Sequence, residues 1–84
     1  MTEISDDEAL KRVGLNLKAE RARRNLTQEA VARMANMGAT QVARMERGET
    51  DSGISKYVRV ARAIGMRPAD LFYDLDRSGH DRQE

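Results

Sequence analysis

Between Thr27 and Gly48 the chain reads TQEAVARMANMGATQVARMERG. Two short helical patterns flank a tight turn, with small and apolar residues where two crossing helices would touch. Thr27 can cap a helix over 28–35, on which Val31, Ala32 and Ala35 share one face. Ala32 and Ala35 are small enough to let a second helix cross closely. Asn36-Met37-Gly38 forms the turn. The next helix spans about 39–47 and stops at Gly48, a residue that tolerates left-handed backbone.

Three further helices complete an all-α reading. Ser5 followed by Glu8 is a capping box, so a first helix begins near Asp6 and runs to about Arg24, with Leu10, Val13 and Leu17 as its apolar stripe. Glu49 to Gly53 is a polar loop, in which Asp51 or Ser52 can cap a fourth helix over about 53–64. That helix points Ile54, Tyr57, Val60, Ala61 and Ile64 inward and ends at Gly65. Pro68 opens a short fifth helix, about 68–74, through Leu71 and Phe72. Residues 1–75 then make one domain, and 76–84, DRSGHDRQE, a loose polar tail.

With 84 residues, one domain is expected, with a single modest core and little room for an enzyme's cleft. There is no cysteine, which removes disulfides and thiolate metal sites. The first ten residues lack the cationic start and apolar run of a signal peptide, and no apolar run approaches a membrane span. A cytoplasmic protein with no membrane partner is the expectation.

The net charge of +1 hides an uneven distribution. Residues 1–8 carry four acids and no base, and residues 70–84 carry five acids against Arg77 and Arg82. Residues 9–69 hold 13 of the 15 bases and five acids, a net of +8. A basic body between acidic ends suits a polyanion, although solvated helix faces also use Arg and Lys. Three aromatics, Tyr57, Phe72 and Tyr73, give too little stacking surface for a single-strand or RNA platform.

On a wheel of about 100° per residue, the helix over 39–47 points Val42 and Met45 one way, with Ala39 and Glu46 beside them. Thr40, Arg44 and Arg47 point the other way, with Gln41 and Ala43 on the flanks. A hydroxyl, two guanidiniums and an amide suit base edges in a major groove: Arg bonds guanine through two atoms, Gln does so for adenine, and a Thr methyl touches a thymine methyl. Ala43 keeps the face slim. Thr27 and Gln28 sit at the start of the preceding helix, where unpaired backbone N–H groups favour an anion, and read as a phosphate clamp. Two amphipathic helices of an ordinary bundle would carry much of the same pattern.

Residues 13–72 resemble the helix-turn-helix domain of phage Cro and repressor proteins, the XRE family. The resemblance lies in Val13, Gly14 and Leu17; Arg21; Leu26-Thr27-Gln28; Ala32, Val42 and Met45; Glu46-Arg47-Gly48; and Ala61, Ile64, Gly65 and Leu71. It implies a compact five-helix, lambda-repressor-like fold that places its third helix in the major groove and binds near-palindromic double-stranded DNA as a homodimer. Carried over by position, base reading falls on Ala39, Thr40 and Arg44, with Gln41 at the groove's edge, and phosphate contact on Thr27, Gln28 and Arg47. Arg21 and Glu46 match a pair that in relatives forms a salt bridge between helices one and three.

Two positions depart from the pattern. Asn36 stands where the turn usually has Gly; Asn tolerates the left-handed conformation better than most residues. The loop after Gly48 reads ETDSG, acidic where relatives often carry bases, which leaves Ser52 and Lys56 with backbone N–H groups to meet phosphate.

A single domain reads only a few base pairs, so a homodimer is expected, with recognition helices about 34 Å apart. Val58, Met66, Phe72 and Tyr73 either form its interface or complete the monomer core. His80 has no second His or Cys nearby in sequence, and no phosphate loop, nucleophile–base pair or metal spacing occurs, so neither enzyme nor cofactor is expected. The function expected is an autonomous transcriptional regulator that occludes a promoter or contacts RNA polymerase. The alternative is an antitoxin-type interaction protein that binds a toxin and regulates its own operon.

Overall fold

The computed structural model describes residues 4–75. Five helices follow one another: α1 (Asp6–Arg23), α2 (Gln28–Ala35), α3 (Ala39–Arg47), α4 (Ile54–Ile64) and α5 (Pro68–Leu71). Among the described residues there is no strand, and the fold is all-α. The polar tail and His80 lie outside the described residues.

Each helix end follows from local chemistry. The Ser5 hydroxyl accepts from the Glu8 N–H, and the Glu8 carboxylate accepts from the Ser5 N–H, both at 3.1 Å. Asp6, Asp7 and Glu8 then sit at the positive end of the α1 dipole, and Arg21 and Arg23 at its negative end. Thr27 caps α2, its Oγ1 accepting from the Ala30 N–H at 2.9 Å. The turn between α2 and α3 holds Asn36 in the left-handed region, φ 58° and ψ 55°. Gly38, at φ −81°, uses no special conformation, and α3 starts at Ala39.

Four junctions among the described residues close with the same backbone bond: Glu49 donates to the Arg44 carbonyl beyond Gly48, and three others place an apolar residue there. Asn25, Asn36 and Gly65 each take a positive φ. The next residue in each case, Leu26, Met37 or Met66, donates its N–H to the carbonyl five residues back, on Arg21, Ala32 and Ala61. This is the double-bonded left-handed helix end, in which an apolar residue just beyond the turn packs back on the helix. Leu26 and Met37 pack against the core, and Met66 is buried within it.

The core gathers Val13 and Leu17 from α1, Val31, Ala32 and Ala35 from α2, and Val42 and Met45 from α3. Tyr57, Val60, Ala61 and Ile64 of α4 join them, with Met66 and Leu71. Fully burying a side chain the size of Leu17 or Leu71 contributes about 1.5–3 kcal/mol. Ile54 was expected inward but is 62% exposed. As the first residue of α4 it overhangs the packed layer and borders a surface groove with Leu10, Phe72 and Leu75. Phe72, for which a dimer interface and the monomer core were both open, lies one residue past α5 and is exposed.

Two local expectations are corrected. Neither Asp51 nor Ser52 caps α4; the N-cap is Gly53, with no side-chain cap bond. At φ 86° this glycine turns the chain into the helix in a conformation that side chains rarely adopt, and Ser52 accepts instead from Gln41. The fifth helix stops at Leu71 and does not reach residue 74. Asn16 of α1 donates to the carbonyls of Leu71 (2.9 Å) and Tyr73 (3.0 Å), and Arg12 donates to that of Asp74 (2.7 Å). These carbonyls are turned toward α1, and Asp74 takes φ 65°, so a continued helix has no place there.

Candidate nucleic-acid interface

The pattern of small and apolar residues that ties α2 to α3 also aims α3. Val42 and Met45 are fully enclosed, which leaves the opposite face outward. Glu46, on the inner side, is buried as well, at 4% exposure. Its carboxylate accepts from three donors: Arg21 Nε at 2.6 Å, Arg21 Nη2 at 3.0 Å and Gln28 Nε2 at 2.9 Å. Arg21 donates a further bond from Nη1 to the Leu26 carbonyl at 2.8 Å. The hydrogen bond to Glu46 raises the Arg21 guanidinium pKa further above its already high value. One carboxylate therefore links α1, the start of α2 and the last turn of α3.

Behind this brace α1 meets α3 at very short range. Gly14 is buried, and a Cβ there would run into the backbone carbonyl oxygens of Met45 and Glu46. Glycine inside a helix costs about 1 kcal/mol relative to alanine. Here the missing Cβ permits a backbone approach that no other residue allows. Gly48 closes the other side of the contact: a Cβ on it would lie 2.7 Å from Lys11 Cα.

The outer face is open. Thr40 and Arg44 are exposed, and neither side chain makes a hydrogen bond or ion pair among the described residues, although the Arg44 charge acts on Glu49 at short range. Ala39 and Gln41 are half-buried at the edge of that face. Gln41 Nε2 donates to Ser52 Oγ at 3.1 Å, which ties the loop to the helix. Thr40, Gln41, Arg44 and Thr50 line a shallow depression. Thr27 is exposed at the entry to α2, its oxygen bound to the Ala30 N–H and its hydroxyl proton free to donate onward. Gln28 is half-buried with one amide hydrogen directed to Glu46. Lys56 is half-buried on α4.

Arg47 is not bare. Its Nε and Nη2 donate to the two oxygens of Glu49 at 2.8 and 3.0 Å, and both side chains are about half exposed. The bond holds the Glu49 carboxyl below its ordinary pKa and raises that of Arg47.

Two lysines that sequence reasoning missed stand beside this site. Lys11 and Lys18, two turns apart on α1, line one groove with Gln28, Arg47 and Glu49. Their seven-residue spacing was the available signal. Of the residues considered for a dimer interface, Phe72 and Tyr73 are exposed and Val58 is half-buried. Met66 is 5% exposed and belongs to the core of a single chain, because the helix-ending bond at Gly65 turns it inward. Among the described residues no group of His, Cys, Asp or Glu has the arrangement of a metal site, and no helix is long and apolar enough to cross a membrane.

Comparison with known proteins places this geometry. The helix-turn-helix family model HTH_3 matches residues 17–71. Among solved structures, the restriction-modification controller protein C.AhdI from Aeromonas hydrophila is similar with a TM-score of 0.72 and 27% identity, over 75% of this chain and 96% of that one. The clp gene regulator ClgR from Corynebacterium glutamicum gives a TM-score of 0.73 at 21% identity, over 83% of this chain and 86% of that one. An HTH_3 family transcriptional regulator from Vibrio cholerae gives 0.76 at 22% identity; the match covers 81% of this chain but only 38% of that protein. No curated protein matches the sequence. With its core, its helix pair and the brace behind them all inside or beside the matched segment, the chain belongs to the XRE, or Cro/repressor-type, family of helix-turn-helix DNA-binding transcriptional regulators.

Proposed function

We propose that this regulator binds a near-palindromic operator as a homodimer, with α3 of each copy in the major groove. The observation that carries the reading is the contrast at α3: Thr40 and Arg44 point outward unpartnered, while Val42, Met45 and Glu46 are buried behind them. In this reading Arg44, Thr40, Gln41 and Ala39 meet base edges. Arg44 has the reach and the paired donors for a guanine. Thr27, Gln28, Arg47, Ser52 and Lys56 meet phosphates, which set register without reading sequence. Gln28 does so with its remaining amide hydrogen while the other stays on Glu46.

Phe72, Tyr73 and the half-buried Val58 are the surfaces offered for dimerisation, and Ile54 extends the apolar area beside Phe72. The match to nearly the whole length of C.AhdI supports a small autonomous regulator of that kind. A restriction gene beside the coding sequence would favour this reading, and a toxin gene would favour an antitoxin.

Selection of bound sites from random duplex DNA tests the proposal. The expected result is a symmetric pair of half-sites about 10–10.5 base pairs apart, centre to centre. Recovery of no enriched sequence, or of an asymmetric single site bound by a monomer in sedimentation, overturns it.

A further inference from the structure

The segment after α3 is acidic, Glu49-Thr50-Asp51, on the side of the molecule that the proposed reading turns toward a polyanion. It is also firmly held. The Glu49 N–H donates to the Arg44 carbonyl at 3.0 Å, and the Tyr57 hydroxyl donates to the Thr50 carbonyl at 3.0 Å. Gln41 holds Ser52, and Gly48 is pressed against the Lys11 backbone. The Glu49 carboxylate is thus presented to Arg47 by a fixed loop.

The pair has the geometry of anion recognition. Two guanidinium donors, Nε and Nη2, meet the two carboxylate oxygens, the fork-on-fork arrangement that Arg also uses on phosphate. The pair is also exposed to solvent. An ion pair in water contributes little to stability and exchanges partners readily. A carboxylate that is well placed, weakly held and chemically similar to the expected ligand is suited to competition and poorly suited to bracing a fold.

We infer that Glu49 is an internal stand-in for a DNA phosphate: it occupies Arg47 in the free protein and must release it before Arg47 can clamp the backbone. The inference rests on the DNA-binding reading above. On binding, Arg47 exchanges a carboxylate for a phosphate and Glu49 is left facing the duplex. The net charge gained by the contact is smaller than one free arginine would supply, and every duplex is held less tightly. Affinity set by phosphates alone is lowered, so a complex must rely more on base contacts to persist.

The experiment is a fluorescence titration of a random-sequence duplex over a series of salt concentrations, with the wild type, Glu49→Gln, Arg47→Ala and the double variant. Glu49→Gln is expected to bind about two- to fivefold tighter at low salt, the range an exposed pair allows. Its dependence of log K on log salt should steepen by less than about 0.9, the value of one phosphate contact, because Arg47 meets phosphate in both proteins and only the wild type leaves a carboxylate beside the duplex. In the Arg47→Ala background the same substitution should have much less effect, because the guanidinium it frees is gone. Thermal melts of all four proteins should agree, which excludes a change in folding. An equal gain with and without Arg47 would make Glu49 a general repulsive charge and overturn the inference, as would no gain in the Arg47 protein. If neither the wild type nor Glu49→Gln binds duplex DNA under any salt condition, the DNA-binding reading itself falls and this inference with it.

Discussion

On its inner side α3 is tied down at Val42, Met45 and Glu46; on its outer side the Thr40 and Arg44 side chains make no hydrogen bond or ion pair among the described residues. The two sides are separated by half a helical turn and obey opposite requirements. Inside, each polar group is matched: Glu46 takes three donors, and Arg21 spends a further one on the Leu26 carbonyl. Outside, donors are left unmatched within the described chain, a state that water tolerates and that a ligand can exploit. The helix is thus aimed mainly by buried groups; of those that hold it, only Gln28 is also proposed to meet DNA, and the outward side chains contribute little to the fold. Substitutions on the two sides should separate stability from recognition.

The largest effect is expected at the brace. Glu46→Ala leaves the Arg21 guanidinium largely enclosed without its anion, and breaking such a pair costs about 3–5 kcal/mol. Urea unfolding measures it; a loss no greater than that of a surface substitution would mean that α3 is held by its apolar residues alone. Next, Gly14→Ala forces a methyl against the carbonyls of Met45 and Glu46. Overpacking of this kind costs about 1–3 kcal/mol, partly offset by alanine's better helix propensity. A melting temperature equal to or above that of the wild type would show that α1 and α3 can slide apart.

Arg44→Ala tests the outer side. Stability should change by no more than about 0.5 kcal/mol. Discrimination between a selected operator and a random duplex should fall by about 1–3 kcal/mol. Unchanged specificity in a competition titration would move base reading elsewhere on the face. The smallest effect belongs to the loop that borders it. Tyr57→Phe removes the bond to the Thr50 carbonyl at a cost of about 1 kcal/mol. Burial raises the Tyr57 phenol above its ordinary pKa of 10.0. Its contribution is therefore complete below pH 10.0 and is lost as pH rises through the higher folded-state value. Alkaline unfolding curves of the wild type and the Phe variant should converge there; parallel curves would show that the hydroxyl is not linked to folding.

What the sequence made legible follows the same division between near and far. The all-α fold and the helix pair were readable because their signals are local. Thr27 caps within three residues, Gly48 stops a helix where it stands, and Asn36 adopts the left-handed turn that its side chain tolerates. The inward stripes of α2 and α3 were readable from helical periodicity. Residues near helix ends were harder. Ile54 fits the α4 stripe by phase, yet it lies in the first turn, beyond the layer that the stripe covers. Met66 sits after a glycine and looks available for a partner, but a backbone bond to Ala61 draws it inward. The end of α5 depends on Arg12 and Asn16, more than fifty residues earlier. At the candidate interface the sequence offers side-chain types but not their occupancy. Nothing in the spacing tells that Gln28 gives a hydrogen to Glu46, that Gln41 holds Ser52, or that Arg47 is met by Glu49.

The helix ends at Leu26, Met37 and Met66 have a consequence for how the chain folds. In each, the residue that completes the turn also packs on the core or within it, which couples the junction to the core. Such a domain has no natural place to be divided. A cut after Ile64 removes Met66 and Leu71 from the same interior that Leu17, Val31 and Val60 occupy, and the remaining four helices are left around a void. Unfolding should accordingly occur in one cooperative step, with tyrosine fluorescence and helical circular dichroism changing together along the denaturant axis.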